Sequence, residues 1–410
     1  MKFSIFNFFF ELNNQIYLFN SFSEAFLKVK SDKILWNDLS EKERSIYYKN
    51  GIFVDDSINE FDRLNLRLEN LKNIPIFNLS INVTNSCNLK CSYCYNKNNN
   101  PNKSKVIEEK IIDSILQRVM KVLEKEKIEK LNVVVSGGEP FVCYDKIRYF
   151  VKRITRLNLQ LDSSVLIITN GTLIKKNDIL ELFMLGVKNY QLTLDGNKIY
   201  HDNIRRTNKG IGTYNKIIEN IKIIYEITKT PITLRINVSR ENYLLINDLL
   251  DDLNRNVIND SIILSFARVY NEDLDFYYNE LPRIIYKCYK LAFDRGFKST
   301  YNWKSNIVKN KVCMQEINRS IIINQDGNLY RCPYLLDDKY KVEKDLDVIK
   351  EKKINTTLIN NSCLECEMLG ICNGGCRYQK EENYNKSSKY YCDKKMFIEA
   401  LKIHTLIIKD

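Results

Sequence analysis

Three closely spaced cysteines are the residues of this chain best suited to chemistry. Cys87, Cys91 and Cys94 have the spacing CxxxCxxC and follow an apolar run over 77–83 that is typical of a β-strand. Three thiolates on one loop can bind a [4Fe–4S] cluster and leave one iron open for another ligand. A zinc site usually needs four nitrogen or sulfur ligands, and neither of the chain's 2 histidines is near this loop. We therefore predict an iron–sulfur cluster here, with these cysteines as its catalytic ligands.

A second motif supports this interpretation. Gly137-Gly138-Glu139-Pro140 ends the second predicted strand. The cysteine spacing, with Tyr93 before the last cysteine, resembles the signature of the radical S-adenosylmethionine (SAM) enzymes. The GGEP turn resembles that family's motif for the SAM amino group. The resemblance implies that the open iron chelates the amino and carboxylate groups of SAM. It also implies that an electron from the cluster cleaves the sulfonium to methionine and a 5′-deoxyadenosyl radical. In such enzymes the cofactor carries the chemistry and the protein orients it.

Several residues near predicted strand ends are expected to contact SAM. We expect Tyr93 to place backbone against the adenine, the two glycines to admit the methionine part, and Glu139 to accept from its ammonium group. Packing against the barrel is the alternative for Tyr93, and a satisfied strand end is the alternative for Ser136. The predicted SAM-binding residues are Tyr93, Ser136, Gly137, Gly138, Glu139, Pro140, Asn170, Arg235 and Asn237.

The fifth predicted strand carries two polar residues among aliphatic ones. Arg235 and Asn237 alternate with Leu234, Ile236 and Val238, so they share one face of the strand. We assign Arg235 to the SAM carboxylate or ribose, with a structural ion pair as the alternative. Asp195, at the end of strand four, is expected to face the substrate. The following segment over 201–206 resembles a family segment, and its role as a substrate loop or a structural element stays open.

Residues 77–298 alternate strand and helix, the pattern of a parallel α/β fold. The predicted strands cover 77–84, 131–136, 165–169, 191–194, 233–238 and 261–266, and the predicted helices cover about 106–123, 145–157, 176–185, 213–227, 242–255 and 279–295. Six units are too few to close an eight-unit barrel, and they match the partial (β/α)6 barrel of the resembled family. The carboxyl ends of such strands carry the active site.

Residues 1–76 form a small α+β pattern before the barrel. Strands are predicted at 3–12 and 16–19, joined at Asn13-Asn14, with helices at 21–30, 40–49 and 58–73 and a strand at 52–54. The pattern resembles the winged-helix-like domains that recognise leader peptides in many peptide-modifying radical enzymes. Such domains add an extended peptide to a sheet edge. A DNA-binding winged helix and a structural cap are the alternatives.

Residues 299–410 are rich in cysteine and resemble the SPASM extension, which carries two auxiliary [4Fe–4S] clusters. The resemblance assigns the distal cluster to Cys363, Cys366, Cys372 and Cys392, and the nearer one to Cys313, Cys332 and Cys376. Three [4Fe–4S] clusters are therefore expected in all. Some family members have a fourth cysteine for the nearer cluster, and none lies between 313 and 332 here. A substrate cysteine, Glu316 or solvent could complete the nearer cluster.

Composition limits the remaining possibilities. The chain has 410 residues, 44% of them hydrophobic and 28% charged, as expected of a globular protein. No apolar run is long enough to span a membrane, and 12 cysteines without a recognisable signal peptide indicate metal binding in a cytoplasmic protein. Cys143 and Cys288 are left over. Cys288 is expected in the core, whereas Cys143 follows the GGEP turn, so a structural role is favoured for it and a role at the site stays open. The net charge of +12 fits an acidic partner, although simple solubility explains it as well.

We conclude from the sequence that the chain is a radical SAM/SPASM oxidoreductase. We expect it to modify a ribosomally made precursor peptide, with a thioether cross-link as the product. An anaerobic sulfatase-maturing enzyme, which makes formylglycine, is the first alternative, and a non-catalytic iron–sulfur electron carrier is the second. The expected partners are the precursor peptide and an external electron donor of the flavodoxin or ferredoxin type, with no membrane or nucleic acid.

Overall fold

The structure, a computed structural model, divides the chain into two compact units. It describes residues 1–94, 104–157, 161–257, 259–269, 273, 275–300, 313–314, 317, 319–342, 361–378 and 392–407. Unit 1 comprises Met1–Ile74, Tyr301–Glu316 and Lys353–Asp410, and unit 2 comprises Pro75–Thr300 and Ile317–Lys352. The boundaries of these units differ from those of the three predicted domains, 1–76, 77–298 and 299–410, because residues 1–74 and 353–410 belong to the same unit.

Unit 2 is built on an eight-stranded, mostly parallel sheet. Its strands are β6 (Ile76–Asn82), β7 (Lys130–Ser136), β8 (Asp162–Ile168), β9 (Asn189–Thr193), β10 (Ile232–Val238), β11 (Ile262–Arg268), β12 (Ser320–Ile323) and β13 (Leu329–Tyr330). The strand order is β11-β10-β9-β8-β7-β6-β12-β13, and only β13 pairs antiparallel to its neighbour. This arrangement confirms the predicted α/β partial barrel.

Helices connect the parallel strands of unit 2. They are α3 (Glu109–Lys125), α4 (Tyr144–Leu157), α5 (Lys176–Met184), α6 (Lys198–Ile204), α7 (Tyr214–Thr228), α8 (Ile246–Asn256) and α9 (Leu281–Asp294). Helix α6 and the two strands after residue 319 were not predicted from the sequence. Strand β12 extends the sheet beyond β6, because Ser320–Ile323 pairs in parallel with residues 78–81.

The two faces of the sheet differ in polarity. In β6 the residues Phe77, Leu79 and Ile81 are fully buried, and the intervening residues are partly exposed. On the polar face the Nδ2 of Asn132 donates to the Oδ1 of Asn78 at 3.1 Å. Successive side chains point to opposite faces of a strand, so the sheet has one buried apolar face and one partly exposed polar face. The polar face is suited to bind a polar ligand.

Unit 1 contains a three-stranded antiparallel sheet and several short elements. Its elements are β1 (Lys2–Phe3), β2 (Asn7–Leu12), β3 (Gln15–Asn20), β4 (Phe26–Val29), α1 (Glu41–Lys49), β5 (Phe53–Val54), α2 (Glu60–Lys72), α10 (Asn361–Leu364), α11 (Leu369–Cys372) and α12 (Lys394–Ile407). The sheet order is β2-β3-β4. Asn13 and Asn14 both have left-handed φ values, 52° and 56°, as a two-residue hairpin turn of the primed type requires.

The predicted helix over 21–30 is wrong, because this stretch forms a tight turn and then β4. The Oδ1 of Asn20 accepts hydrogen bonds from the backbone N–H groups of Phe22 and Ser23, at 3.0 and 2.8 Å. Glu24 then adopts a left-handed φ of 65°. The chain reverses and pairs with β3, and this pairing overrides the helical preference of the local residues.

Both faces of the front sheet are covered by protein. On one face Leu18 packs with Ile52 and Phe53. On the other face the rings of Phe26 and His404 meet edge to face at 5.1 Å between centroids. Adjacent strand residues point to opposite faces, so an uninterrupted run such as Phe8-Phe9-Phe10 is accommodated only when both faces are buried.

A second small core joins the front of the chain to its cysteine-rich end. Phe6 and Leu64 pack with Cys363 and Leu369 in one apolar cluster. The guanidinium of Arg67 donates to the carbonyl of Phe22 at 2.8 Å and also to the carbonyl of Gly370. Residues 1–74 and the cysteine-rich segment therefore stabilise each other. No helix among the described residues has the length and apolar character needed to cross a membrane.

Candidate active site

The predicted cluster cysteines lie on the loop that follows β6 in unit 2, here called the cysteine loop (residues 84–94). The loop begins against the end of β7. The N–H of Gly138 donates to the carbonyl of Thr84, and the N–H of Glu139 donates to the carbonyl of Ser86, both at 2.8 Å. These bonds tie the GGEP turn to the start of the cysteine loop.

The two glycines of GGEP are required by this contact. A Cβ on Gly137 would lie 2.5 Å from the carbonyl oxygen of Thr84, and a Cβ on Gly138 would lie 2.3 Å from that of Ser86. Any side chain would therefore push the cysteine loop away. This gives the glycines a structural reason that is separate from their predicted role of admitting the methionine part of SAM.

The far side of the cysteine loop pairs with the segment after α6. The N–H of Lys90 donates to the carbonyl of Arg206 at 2.9 Å, and the N–H of Ser92 donates to the carbonyl of Ile204 at 3.0 Å. Leu89 forms an antiparallel bridge with Thr207. The loop is therefore held between the end of β7 and the 204–208 segment.

Tyr93 lies at the centre of a buried polar network. Its hydroxyl donates to the carboxylate of Asp195, and it accepts from Nη1 of Arg205 at 2.5 Å and from Nδ2 of Asn237 at 3.2 Å. Asp195 is 0% exposed and Arg205 is 7% exposed. Burial is the main cause that raises the pKa of Tyr93 well above its ordinary value, followed by the charge of Asp195.

A neutral histidine, His201, makes hydrogen bonds that hold Asp195 and Thr213 in this network. The N–H of Asp195 donates to Nδ1 of His201 at 3.2 Å. Nε2 therefore carries the ring proton and donates to the hydroxyl of Thr213, 3.0 Å away, which itself donates to the carbonyl of Arg205. Burial, followed by the charge of Arg205, lowers the pKa of His201 well below 6.5. His201 therefore makes the structural hydrogen bonds that were one of the two interpretations of this segment.

Glu139 is fully buried and bridges two strand ends. Its carboxylate accepts from the Thr169 hydroxyl at 2.7 Å and from the N–H groups of Asn170 and Phe141 at 2.6 and 3.0 Å. Burial raises the pKa of Glu139, and these hydrogen bonds oppose that shift. A carboxylate offers about four lone-pair sites, so one acceptor position remains for the predicted ammonium contact.

Asn170 reaches from the end of β8 to the cysteine loop. Its Nδ2 lies 2.9 Å from Oδ1 of Asn88 and 3.9 Å from Sγ of Cys87. Ser136, in contrast, donates to Oδ1 of Asn82 at 2.7 Å on the polar face of the sheet. Pro140 is buried at the start of a short 3₁₀ helix.

Arg235 and Asn237 contact each other at the end of β10. Nε of Arg235 donates to Oδ1 of Asn237 at 2.8 Å, and Asn237 in turn reaches Tyr93. No carboxylate in the described part of the chain forms an ion pair with Arg235. The alternative of a structural ion pair for Arg235 therefore has no support among these residues.

The cysteine loop has the donor chemistry that a [4Fe–4S] cluster needs. Sγ of Cys87 accepts a hydrogen bond from the N–H of Leu89 at 3.4 Å, and hydrogen bonds to cluster sulfurs tune such sites. Burial raises the pKa of the Cys87 thiol to about 11 and also raises that of Cys91. Among the described residues, no three His, Cys, Asp or Glu side chains lie close enough together to bind a single metal ion. A [4Fe–4S] cluster does not need this arrangement, because each of its cysteine ligands binds a different iron. The residues present therefore fit a cluster.

The C-terminal cysteines are divided between the units. The N–H of Cys366 donates to the carbonyl of Cys363 at 3.2 Å. The N–H of Lys394 donates to the Cys392 sulfur at 3.4 Å, and its Nζ donates to the Glu367 carboxylate at 2.8 Å, so three of the predicted distal ligands lie near one another. Cys372 ends α11, and Asn373, Gly374 and Gly375 all have left-handed φ values before Cys376. Of the other predicted ligands, Cys313 lies in unit 1 and Cys332 in unit 2. Glu316 lies outside the described residues.

Comparison with known families identifies the barrel. Residues 81–253 match the model described as the radical SAM superfamily. The chain carries a radical SAM domain. A radical SAM domain implies catalysis with a [4Fe–4S] cluster and SAM, which agrees with the prediction of a radical SAM enzyme that uses these two cofactors. The matched range contains the cysteine loop, the GGEP turn and the Tyr93 network.

Two curated relatives share most of the chain with low identity. A cysteine-type anaerobic sulfatase-maturating enzyme of Clostridium novyi is 25% identical over 358 residues, which is 77% of this chain and 92% of the relative. The radical SAM cyclopropyl synthase TigE of Paramaledivibacter caminithermalis is 24% identical over 387 residues, which is 85% of this chain and 77% of the relative. Both alignments are much longer than the range 81–253 that matches the family model.

Two solved radical SAM structures share the fold. Native anSMEcpe with bound AdoMet and the Kp18Cys peptide aligns with a TM-score of 0.65 at 18% identity, over 82% of this chain and 98% of that one. Streptococcus suis SuiB bound to its precursor peptide SuiA aligns with a TM-score of 0.55 at 19% identity, over 96% of this chain and 99% of that one. At these identities the likeness concerns the fold alone.

Proposed function

We propose that this chain is a radical SAM peptide maturase that acts on a ribosomally made precursor peptide and closes a thioether cross-link. The observation that carries the peptide part is the front sheet of unit 1. Both faces of this sheet are covered, and β4 has no strand paired to its outer edge among the described residues. An extended peptide can add to such an edge through main-chain hydrogen bonds. The solved complexes of SuiB and anSMEcpe with peptides support this class of substrate.

Cys87, Cys91 and Cys94 would hold the SAM-binding cluster. When bound, the cluster and SAM together supply an electron and a radical that abstracts hydrogen from the substrate. The protein's own contribution is orientation. Asn170 and the N–H of Leu89 point donors at the Cys87 sulfur. Arg235 and Asn237 offer polar groups on the inner face of β10 for the carboxylate or ribose of SAM.

The thioether assignment rests on the C-terminal cysteines. Cys363, Cys366, Cys372 and Cys392 would hold a distal cluster, and Cys313, Cys332 and Cys376 would hold a nearer one. Three protein thiolates leave room for a substrate thiolate at the nearer cluster, and a bound metal keeps a thiol deprotonated. The overall reaction removes two hydrogens from the peptide, so it is an oxidation. The 5′-deoxyadenosyl radical would take one hydrogen atom, the thiol would release a proton, and the auxiliary clusters would accept the remaining electron and pass it to an external protein of the flavodoxin or ferredoxin type.

Formylglycine formation is the second candidate. The sulfatase-maturating enzyme of C. novyi aligns over 77% of the chain, and its cysteine-type chemistry also begins from a peptide thiol. The two candidates differ in their products, because a thioether joins sulfur to a carbon of the same peptide, whereas formylglycine replaces the thiol by an aldehyde.

The cluster part of the proposal is tested by removing its ligands. Anaerobically reconstituted wild-type protein should bind about twelve irons per chain, as three cubane clusters require. The triple variant Cys87→Ala, Cys91→Ala, Cys94→Ala should lose about four irons and all release of 5′-deoxyadenosine. Cys288→Ala, which removes a buried cysteine outside the site, is the matched control and should keep both. Persistent 5′-deoxyadenosine from the triple variant would refute the assignment.

The product distinguishes the two candidates. A cysteine-containing precursor peptide should become lighter by two hydrogens and lose one free thiol, as mass spectrometry after alkylation can show. The same peptide with serine in place of cysteine should remain unmodified. An aldehyde that reacts with hydrazine probes would instead establish formylglycine formation.

A further inference from the structure

Arg205 is a buried cation that contacts the cysteine loop from outside the predicted SAM site. Its Nη1 donates to the Tyr93 hydroxyl at 2.5 Å and lies 3.5 Å from Oδ2 of Asp195. Its Nε is also buried and has no hydrogen-bond partner among the described residues. A buried guanidinium with an unused donor is costly, so its retention needs an explanation beyond stability.

The charge of Arg205 lies against the cysteine loop, because its Nη1 donates to Tyr93, which stands between Cys91 and Cys94 in the sequence. Burial by itself would lower the pKa of Arg205, but Tyr93, Cys91 and Asp195 raise it, so the guanidinium stays charged. Asp195 is fully buried and accepts from the N–H of Asn237 at 2.8 Å as well as from the Tyr93 hydroxyl. The cysteine loop therefore has one buried cation and one buried anion, Asp195, beside it.

The backbone around Arg205 holds the same loop. Residues 204 and 206, on either side of it, accept the N–H groups of Ser92 and Lys90. Arg205 therefore acts on the loop through its side chain while its neighbours act through their carbonyls. The side chain of Arg206, the next residue, is exposed and donates to the carbonyl of Asn203 at 3.0 Å. It provides a natural control.

We propose that Arg205 and Asp195 are positioning residues that hold the cysteine loop through the Tyr93 hydroxyl, and that their opposed buried charges set the reduction potential of the cluster bound there. This inference rests on the proposed function, because it requires a cluster at Cys87, Cys91 and Cys94. Charges interact strongly at low dielectric. A cation nearby stabilises the more negative, reduced cluster, and an anion stabilises the oxidised one.

Opposite substitutions should therefore move the potential in opposite directions. Arg205→Gln leaves Asp195 unbalanced and should shift the potential to more negative values. Asp195→Asn leaves Arg205 unbalanced and should shift it to more positive values. The double variant should return close to the wild-type value. A purely structural role would move both single variants in the same direction or leave both unchanged.

The test is an EPR-monitored redox titration of the full chain, loaded with iron and sulfide. The relevant cluster is identified as the one whose EPR signal changes when SAM is added. Arg206→Gln should match the wild type. Tyr93→Phe keeps both charges, so it should leave the potential near the wild-type value while iron is lost faster to a chelator. Equal potentials in Arg205→Gln, Asp195→Asn and the wild type would overturn the inference.

Loss of a buried partner can also prevent the cluster from assembling. If Arg205→Gln binds about four irons fewer, Arg205→Lys should restore both the iron and the potential, because it keeps the charge. Failure of Arg205→Lys to restore either, with Arg206→Gln normal, would also overturn the inference. If the wild type itself shows no SAM-responsive cluster, the proposed function fails instead, so the two failures are distinguishable.

Discussion

The two units place their cysteines by different physical means. In unit 2 the cysteine loop is held by backbone hydrogen bonds to the GGEP turn on one side and to residues 204–208 on the other, with Tyr93 anchored between them. In unit 1 Cys363 is part of an apolar cluster with Phe6 and Leu64. Polar anchoring specifies the geometry of a loop, whereas apolar packing joins distant segments with less directional control. The cysteine loop, which is the predicted catalytic position, is held by directional hydrogen bonds.

This difference changes how the front of the chain should be studied. Deleting residues 1–76 would remove Phe6 and Leu64 from the core that contains Cys363, so it would disturb the cysteine-rich segment as well as peptide binding. Point substitutions separate these effects. Trp36 packs edge to face on Phe53 in unit 1, so its fluorescence reports on that unit.

The largest expected effect comes from breaking the polar anchoring of unit 2. Gly138→Ala should displace the cysteine loop, because the added Cβ would lie 2.3 Å from the carbonyl oxygen of Ser86. We expect loss of about four irons and of 5′-deoxyadenosine release, with an unchanged tryptophan transition. Gly186→Ala is the control, since a Cβ there meets nothing within 4 Å, and it should cost only the strain of a left-handed residue. Normal iron binding by Gly138→Ala would contradict the anchoring account.

The next effect tests the apolar core of unit 1. Leu64 is 4% exposed, whereas Leu66, on the same helix, is 63% exposed. Leu64→Ala should lower the free energy of unfolding of unit 1 by about 2–5 kcal/mol, as cavities in cores do. Leu66→Ala should have little effect. The midpoint of unfolding in urea, followed by tryptophan fluorescence, measures the stability of both variants. Similar losses of stability in Leu64→Ala and Leu66→Ala would rule out the shared core.

A smaller effect concerns pH and unit 1. Burial lowers the pKa of His404 to about 4, whereas an unfolded histidine has a pKa of about 6.5. Between these pKa values the histidine is protonated in the unfolded state and neutral in the folded state. The free energy of unfolding should therefore fall as pH decreases from about 6.5 to about 4. His404→Phe keeps an aromatic ring against Phe26 and should reduce this pH dependence of the tryptophan transition. His201, the other histidine, lies in unit 2, so an unchanged slope in His404→Phe would refute the assignment.

The smallest effect is a helix cap. Ser40 accepts from the N–H of Glu43, and the Glu43 carboxylate accepts from the N–H of Ser40 at 2.9 Å, which completes a capping box at the start of α1. Ser40→Ala should cost about 1 kcal/mol of unit 1 stability. Ser45→Ala, inside the same helix, should cost nothing. Neither change should alter the iron content of unit 2, and a change there would contradict a local effect of the cap.

The strands of the barrel could be predicted because apolar residues recur along them with period two. Each strand is also followed by polar or glycine residues. β6, β7 and β10 begin and end within two residues of the predicted positions. Local patterns failed where pairing decides the structure. Phe26–Val29 contains good helix formers, and it becomes a strand because β3 offers it a partner. Ser320–Ile323 is too short to be recognised before the edge of β6 is known.

The site was predictable as motifs but not as a network. The cysteine loop, GGEP and Asn170 could be identified from their types and spacing. The partners of Tyr93 lie 102, 112 and 144 positions away along the chain, at Asp195, Arg205 and Asn237. No local pattern indicates such a contact. The segment around His201 was noticed as a motif, but only the fold shows that it supports the cysteine loop.

The shared core of unit 1 also bears on how the chain folds as it is synthesised. Ser21 bonds to a carbonyl 346 positions later, so the front sheet emerges from the ribosome long before the helix that covers its second face. Every residue of unit 2 is made before position 353, so the barrel can form first and unit 1 closes last. Nascent chains stalled with residue 352 exposed should lose the front sheet to a protease while the barrel strands survive. Equal protection of both would show that the front sheet folds without its C-terminal cover.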